Sequence, residues 1–246
     1  MSLSIIQKVD ILAFGVHPDD VELSAIGTLM KHRDLGHTFG LCDLTQGELG
    51  TRGSGILRLK EAHDAAVFSG ATFRVNLGFE DGFIKNNKKT ILAIAQVIRL
   101  ARPTIVLANA VDDRHPDHAR AAKIVQDACF YAGLPKLEIK DSKDHLLNAH
   151  RPKFVYHYIQ DKILKPDFIV DITPYIDDKI VSIQKFSSQF FISEEDIGLK
   201  TPISGKDFID YVKAKDKVFG RSSQVEFAEG FNVARVPEVA DLFDLK

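Results

Sequence analysis

The 246-residue chain contains no tryptophan, only two cysteines and two methionines, and almost no net charge. A formal net charge of −2 gives no electrostatic reason to expect binding to nucleic acid or to a membrane surface. No apolar run approaches the roughly 20 residues that a transmembrane helix needs, and the first ten residues lack the basic and apolar parts of a signal peptide. We therefore expect a cytoplasmic protein that binds neither nucleic acid nor membrane.

The two cysteines, Cys42 and Cys129, are far apart in the chain, and each falls within an apolar pattern. A zinc–thiolate site needs a close pair of cysteines, which this sequence lacks. We expect two buried free thiols in a reducing compartment. With 45% hydrophobic and 27% charged residues, the chain can bury a full core, and we expect residues 1–246 to form one domain.

Apolar runs alternate with helical periods through the first half of the chain. Strands are predicted at residues 10–16, 38–44, 73–77 and 104–108, and helices at residues 21–35, 57–69, 90–101 and 119–132. This alternation predicts an α/β fold with a doubly wound, mostly parallel sheet. The second half is less regular and predicts an elaborated C-terminal third, in which residues 194–205 form a candidate mobile loop near the site.

Two similar clusters of histidine and carboxylate follow the first and fourth predicted strands. The first is His17-Pro-Asp-Asp20, and the second, about a hundred residues later, is His115-Pro-Asp-His118. In the common strand order 3-2-1-4-5, strands 1 and 4 are neighbours at the point where the order reverses. Ligands bind there, outside the carboxyl ends of the strands. The sequence therefore predicts that both clusters line one cleft.

The residue types in this cleft are those of a metal site. Imidazole and carboxylate groups with an open coordination position are typical of catalytic zinc. We predict His17, Asp20 and His118 as ligands of Zn²⁺, although the same ligands suit iron or cobalt. Asp19 lies beside the ligands and is predicted to be the general base that takes a proton from water, whose pKa a bound zinc ion lowers to about 7.

His115 and Asp117 complete the predicted catalytic group. His115 is expected either to stabilise the oxyanion of a tetrahedral intermediate or to protonate a leaving amine. Asp117 is expected to orient His115 through a hydrogen bond. A purely structural interpretation also exists, because aspartates after a proline are favoured at the start of a helix.

A nucleotide is the usual occupant of such a cleft, and the sequence disfavours it. The turn from Gly15 to Asp20 is not G-x-G-x-x-G, and Pro18 lacks an N–H donor. Asp19, Asp20 and Glu22 would place carboxylates where a pyrophosphate would sit. The charges of this turn select a cation.

These residues resemble a known family. The two histidine–carboxylate clusters resemble the signatures of the PIG-L/LmbE-like zinc N-deacetylases. The segments that begin at Cys42, Asn76 and His150 are similar to the bacillithiol-pathway branch of that family. The resemblance implies a Rossmann-like deacetylase fold, the same zinc ligands and general base, and a homo-oligomer. It also implies that the substrate is a small N-acetyl-glucosaminide, N-acetyl-glucosaminyl-malate, which would be hydrolysed to glucosaminyl-malate and acetate.

Three arginines are predicted to bind such a substrate. Arg52 lies in the glycine-rich loop after the second predicted strand, where a guanidinium group can hold a malate carboxylate through two hydrogen bonds. Arg114 and Arg151 are similar candidates. Two alternatives remain at this stage: a deacetylase of another N-acetylglucosamine-containing substrate, such as a chitooligosaccharide, and a non-catalytic, metal-containing sugar-binding module.

Overall fold

The computed structural model describes residues 3–190 and 199–244. Its strands form one sheet in the order β3-β2-β1-β4-β5-β7-β6. They are β1 (Ile11–Gly15), β2 (Phe39–Thr45), β3 (Phe73–Phe79), β4 (Ile105–Ala108), β5 (Phe154–Tyr158), β6 (Phe168–Asp171) and β7 (Ala228–Val233). The strands β1 to β5 pair in parallel, and β7 runs antiparallel between β5 and β6. The predicted mostly parallel, doubly wound sheet is confirmed.

Helices cover both faces of this sheet. They are α1 (Asp20–Ser24), α2 (Ile26–Asp34), α3 (Gly55–Ser69), α4 (Lys88–Ala101), α5 (Pro116–Ala132), α6 (Ile176–Gln184) and α7 (Phe208–Arg221). Their ends follow local chemistry: Ser54 accepts a hydrogen bond from the backbone N–H of Leu57 at the start of α3, and Asn87 and Thr90 form a capping box on α4. Within the described ranges, no helix has both the length and the apolar character needed to cross a bilayer.

The central strand β1 is buried on both sides. Leu12 and Phe14 pack in the same cluster as α4 and α5, whereas Ile11 and Ala13 pack with α1 and α2. Because successive side chains of a strand point to opposite faces, a strand between two helical layers must be apolar at every position. This requirement explains the uninterrupted apolar run that precedes the first cluster of site residues.

The helix predicted at residues 21–35 is in fact two helices that meet at Ala25, whose φ of −145° is not helical. A distant carboxylate caps the start of the second helix. Glu229 on β7 accepts hydrogen bonds from the backbone N–H groups of Gly27 (3.1 Å) and Thr28 (2.7 Å), in the first turn of α2. These N–H groups have no partner inside a helix, and a carboxylate there is favoured by the helix dipole. The start of α2 therefore has its capping partner on a strand about 200 residues away, which local periodicity does not reveal.

Glu229 belongs to a buried ionic cluster that joins the C-terminal third to the rest of the molecule. Lys179 on α6 has a fully buried side chain, and its Nζ donates to Asp216 Oδ2 on α7 (2.7 Å) and lies 2.9 Å from Glu229 Oε1. Burial alone would lower the pKa of Lys179, but the two carboxylates raise it, so the lysine stays charged. One ammonium group thus connects α6, α7 and β7, and through Glu229 it also reaches α2.

We expect Lys179→Met to destabilise the fold strongly, because it leaves the buried carboxylates of Asp216 and Glu229 without the ammonium group that pairs with them. Loss of one partner of a buried ion pair costs about 3–5 kcal/mol, which urea unfolding would measure. The matched control is Lys217→Met on α7, where an exposed lysine lies 3.7 Å from Glu226 and the loss should stay below about 1 kcal/mol. Equal losses of unfolding free energy in both variants would show that the buried ionic cluster contributes no more to stability than an exposed ion pair.

Candidate active site

The parallel pairing of β1 with β4 brings the two predicted turns together. Ile11 pairs with Ile105 in register, so the carboxyl ends of both strands lie at the same edge of the sheet. There the ring of His17 lies 4.6 Å from that of His115 and 5.4 Å from that of His118, centroid to centroid. The prediction that the two clusters share one cleft is confirmed.

Asp20 lies between the two outer histidines of this group. Its Oδ1 is 3.3 Å from His118 Nε2, and its Oδ2 is 3.7 Å from His17 Nδ1. Two ligands of one tetrahedral zinc ion, each about 2.0–2.1 Å from the metal, lie about 3.3 Å apart. The Asp20–His118 spacing therefore fits a shared ion. His17, Asp20 and His118 lie in one cluster, but they are not among the groups of described residues whose single ligand atoms all lie within 4.8 Å of one another.

Other groupings of potential ligand atoms occur at the same place. The imidazoles of His17, His115 and His118 each offer one nitrogen within 4.8 Å of the others, and His17 also groups in this way with Asp81 and Asp117. The Oδ2 of Asp117 is buried without a hydrogen-bond partner and lies 3.8 Å from His17 Nε2. Such a set of imidazole nitrogens and carboxylate oxygens, with one carboxylate oxygen unsatisfied, fits a divalent metal ion.

The charge state of the histidines supports the same conclusion. Burial alone would lower the pKa of His17, but hydrogen bonds to Asp20 and Asp81 and their charges raise it to about 10. For His118, burial is likewise outweighed by Asp20 and Asp113, and the pKa rises to about 9. In the metal-free protein, protons on the imidazoles balance the surrounding carboxylates. A bound metal would take over this positive charge and release the protons.

Asp19, the predicted general base, is buried at the cavity wall with a left-handed φ of 105°. Burial is the main cause that raises the pKa of Asp19 to about 7, and the charge of Asp20 adds to it, while Arg58 and His17 act in the opposite direction. A general base is most effective when its pKa lies near the working pH. In the metal-free protein, the pKa of Asp19 therefore lies in the range that suits its predicted role.

Arg58 holds this carboxylate in place. Its NH2 donates to Asp19 Oδ2 (2.9 Å) and to the carbonyl of Pro18, and its NH1 donates to the carbonyl of Gly47 (3.3 Å). Gly47 has a φ of 65°, and a Cβ there would lie 1.9 Å from Arg58 NH1. A larger residue at position 47 would push the guanidinium group away from Asp19.

His115 is half-buried, and its pKa is lowered, first by burial and then by the charges of His17 and His118. The contact between His115 and Asp117 is not the predicted one, in which the Asp117 side chain orients the imidazole. The backbone N–H of Asp117 donates to His115 Nδ1 (3.3 Å), because His115 caps the start of α5. The Asp117 carboxylate instead pairs with Arg120 (2.8 Å). The carboxylate that holds a site histidine is Asp113, which accepts from His118 Nδ1.

The three predicted substrate-binding arginines occupy different places. Arg114 lines the cavity, but its Nε pairs with Asp161. The Nε of Arg52 donates to the carbonyl of Ser188 (3.0 Å), and Arg52 is not among the described lining residues. Arg151 lies over the ring of Phe130, at the far end of α5. Binding of substrate by Arg52, Arg114 or Arg151 therefore stays a prediction, and of the three only Arg114 is among the described lining residues.

These groups open into a cavity of about 440 Å³. One flank is apolar and is formed by Leu23, Ile203, Phe208 and Val212, while the floor carries the histidines and carboxylates. Of the candidate loop at residues 194–205, Thr201 to Ile203 line the cavity, whereas residues 194–198 lie outside the described ranges. A pocket of this size holds a small molecule and leaves a few polar groups to orient it.

Sequence reasoning missed several residues of this site, among them Asp81, Asp113 and Arg58. Asp81 lies 3.0 Å from His17 Nε2, Asp113 contacts His118, and Arg58 holds Asp19. For Arg58 a signal exists, because it falls at the helical spacing of the buried positions Ala62 and Ala65 on α3. A charged residue on the apolar face of a predicted helix indicates a buried partner.

Known proteins are similar to this chain in sequence and in fold. Residues 12–129 match the family described as PIG-L, GlcNAc-PI de-N-acetylase. The chain is 29% identical over 231 residues to the diacetylchitobiose deacetylase of Thermococcus kodakarensis, covering 89% of this chain and 81% of that protein. It is 31% identical over 130 residues to the uncharacterized deacetylase YaiS of Escherichia coli, covering 50% and 69%. The crystal structure of the conserved protein TT1542 from Thermus thermophilus superposes with a TM-score of 0.83 at 31% identity, covering 96% of this chain and 98% of that one.

Three findings define the class of protein. They are the doubly wound sheet, the two histidine–carboxylate turns at one of its edges, and the similarity to these relatives. The chain belongs to the PIG-L de-N-acetylase family. The predicted enzyme class, a hydrolase that removes an N-acetyl group, is confirmed with it. These relatives do not show a special closeness to the bacillithiol-pathway branch.

We expect Arg58→Met to raise the pKa of Asp19 above its value of about 7, because the variant removes the positive charge that favours the ionised carboxylate. Titration of the ¹³C-labelled aspartate carboxyl groups by NMR, in the metal-free protein, would measure the change. Asp19→Asn assigns the resonance. Arg120→Met is the control, since Arg120 pairs with Asp117 rather than with Asp19. An unchanged Asp19 titration in Arg58→Met would refute this electrostatic role.

Proposed function

We propose that the protein is a metal-dependent N-deacetylase of a small N-acetylglucosamine-containing glycoside, with Zn²⁺ bound by His17, Asp20 and His118. The observation that carries the proposal is the position of Asp19. A carboxylate with a pKa near 7 lies directly beside a group of imidazoles and carboxylates at the wall of a ligand-sized cavity. A module that only binds sugar has no need of a proton acceptor there.

The side chains at the site suggest a separate role for each group in the reaction. When bound, the metal would supply positive charge that polarises the acetamide carbonyl and makes water more acidic. Asp19 accepts the proton of the attacking water, and Arg58 keeps its carboxylate in one orientation. His115 then either donates a hydrogen bond to the developing oxyanion or relays to the leaving amine the proton that Asp19 took from water. Cleavage of the amide bond gives acetate and a free amino sugar.

The charges around the cavity favour a neutral aglycone. Among the described lining residues, Arg58 pairs with Asp19 and Arg114 pairs with Asp161. The third lining cation, Lys215, is buried and donates to backbone carbonyls. A malate group brings two carboxylates, which would have to displace existing partners of these cations, and each displaced charge costs free energy.

A chitooligosaccharide-like substrate is accordingly the first choice, and the name of the Thermococcus kodakarensis relative agrees with it. N-acetyl-glucosaminyl-malate, the expectation from the sequence, is the second. The salt bridge between Arg114 and Asp161 is the feature that separates the two: if it opened, the guanidinium group would become available to a carboxylate.

Asp19→Asn should lower kcat for acetate release by about 10²–10⁴-fold, because the proton acceptor is lost while the shape is kept. Metal content, measured by elemental analysis after gel filtration, should remain that of the unaltered protein. Asp127→Asn on α5, which removes a carboxylate paired with Lys123 outside the cavity, is the control with unaltered turnover. Near-normal kcat in Asp19→Asn would refute the general-base assignment. Binding of metal and saccharide without any acetate release from the unaltered protein would instead support a sugar-binding module.

A substrate panel tests the aglycone. We expect kcat/KM for N,N′-diacetylchitobiose to exceed that for N-acetyl-glucosaminyl-malate by at least about tenfold, about 1.4 kcal/mol of discrimination. Asp161→Asn should narrow this ratio, because it releases Arg114 to bind a carboxylate. A preference for the malate conjugate in the unaltered protein would contradict the neutral-aglycone proposal and restore the bacillithiol-pathway substrate.

A further inference from the structure

The predicted ligand Asp20 is held by amide groups from two other parts of the chain. Its Oδ2 accepts hydrogen bonds from the backbone N–H of His17 (2.9 Å) and from Asn109 Nδ2 (2.9 Å). Its Oδ1, the oxygen 3.3 Å from His118 Nε2, accepts from Gln160 Nε2 at 2.6 Å. Gln160 therefore contacts the oxygen of Asp20 that lies nearest to the other ligand.

Gln160 also lies beside His118. Its Nε2 is 3.4 Å from His118 Nε2, and the residue lines the cavity although only 4% of it is exposed. One amide nitrogen is thus adjacent to a ligand atom of each of two predicted ligands. A group in this position controls the separation between them.

The neighbouring bonds fix which way round the Gln160 amide points. Its Oε1 accepts from Asn109 Nδ2 (3.3 Å), and Asn109 Oδ1 accepts from the backbone N–H of Val16 (3.0 Å). Because the Val16 N–H can only donate, Asn109 must present its oxygen to Val16 and its NH₂ group to Gln160. Gln160 must then present its own NH₂ group to Asp20. The backbone N–H of Val16, just after β1, thus fixes the order of donors and acceptors. The Gln160 amide cannot be reversed without breaking this order.

The backbone of Gln160 is anchored as well. Lys215 on α7 is buried, and its Nζ donates to the carbonyl of Gln160 (2.8 Å) and approaches that of Leu23 (3.4 Å). Leu23 is part of α1, the helix that begins at Asp20. The lysine therefore ties the Gln160 backbone to the same short helix that carries the predicted ligand.

We propose that Gln160 is a positioning residue of the metal centre, which sets the orientation of the Asp20 carboxylate and its distance to His118. This inference rests on the proposed metal site. Ligating carboxylates are generally hydrogen-bonded by surrounding groups, and loss of such a partner lowers metal affinity by about 10–100-fold. Without Gln160, Oδ1 of Asp20 keeps only the contact with His118 and is free to rotate away from the shared position.

The test is the affinity of metal-free protein for Zn²⁺, measured by competition with a chromophoric chelator. Gln160→Met keeps the size of the side chain and removes its donor, so we expect a loss of about 10–100-fold in affinity. Gln160→Asn keeps the amide but shortens it by one methylene group, so that it falls short of Asp20, and we expect the same loss. The second variant keeps the test valid if the first does not fold.

Gln189→Met is the matched control. Gln189 lines the same cavity, but its Nε2 donates to the carbonyl of Arg52 and to Ser188 Oγ rather than to a predicted ligand. Its affinity for Zn²⁺ should stay within about threefold of the unaltered protein, which corresponds to roughly one RT of free energy. Unaltered affinity in both Gln160 variants, or an equal loss in Gln189→Met, would overturn the inference while leaving the metal site intact. Failure of the unaltered protein to bind Zn²⁺ would overturn the metal site itself and the inference with it.

Discussion

The parallel pairing of β1 with β4 is the constraint on which the site depends. It places two turns, separated by about a hundred residues, at one edge of the sheet, so that His17 and His118 lie on either side of Asp20. Neither turn alone can hold a metal with an open position, because each contributes only one or two suitable ligands. The interior of the sheet must therefore be tightly packed and apolar, since a shift of either strand would separate the ligands.

The C-terminal third contacts the elements that carry the site. Glu229 on β7 binds the first turn of α2, Lys179 on α6 joins Glu229 to Asp216, and Lys215 on α7 anchors Gln160. These contacts are ionic or charge-assisted and are buried, so each depends on the presence of its partner. The elements that look least regular in the sequence thus contact α2, Gln160 and, through Lys215 and the carbonyl of Leu23, the short helix α1 that begins at Asp20.

Several carboxylates line the cavity. Asp19, Asp20 and Asp81 lie close together, and the protein balances them with imidazolium groups and with Arg58. The same balance prepares the site for a cation and leaves little positive charge for an anionic substrate. The proposed metal site and the proposed preference for a neutral aglycone therefore rest on one charge distribution.

The sequence by itself determined the parallel part of the sheet, in the order 3-2-1-4-5, and the meeting of the turns that carry His17, Asp20 and His118, because apolar runs and strand-to-helix turns are local patterns and the fold relates them in a known way. It did not place the antiparallel β7 between β5 and β6. It did not reveal the break at Ala25, and it did not locate Arg52 or Arg151 relative to the cavity. It also gave no role to Arg58 or Gln160. Those features depend on side chains that meet across large separations in the chain, and only the tertiary structure decides which distant donor satisfies which buried carboxylate.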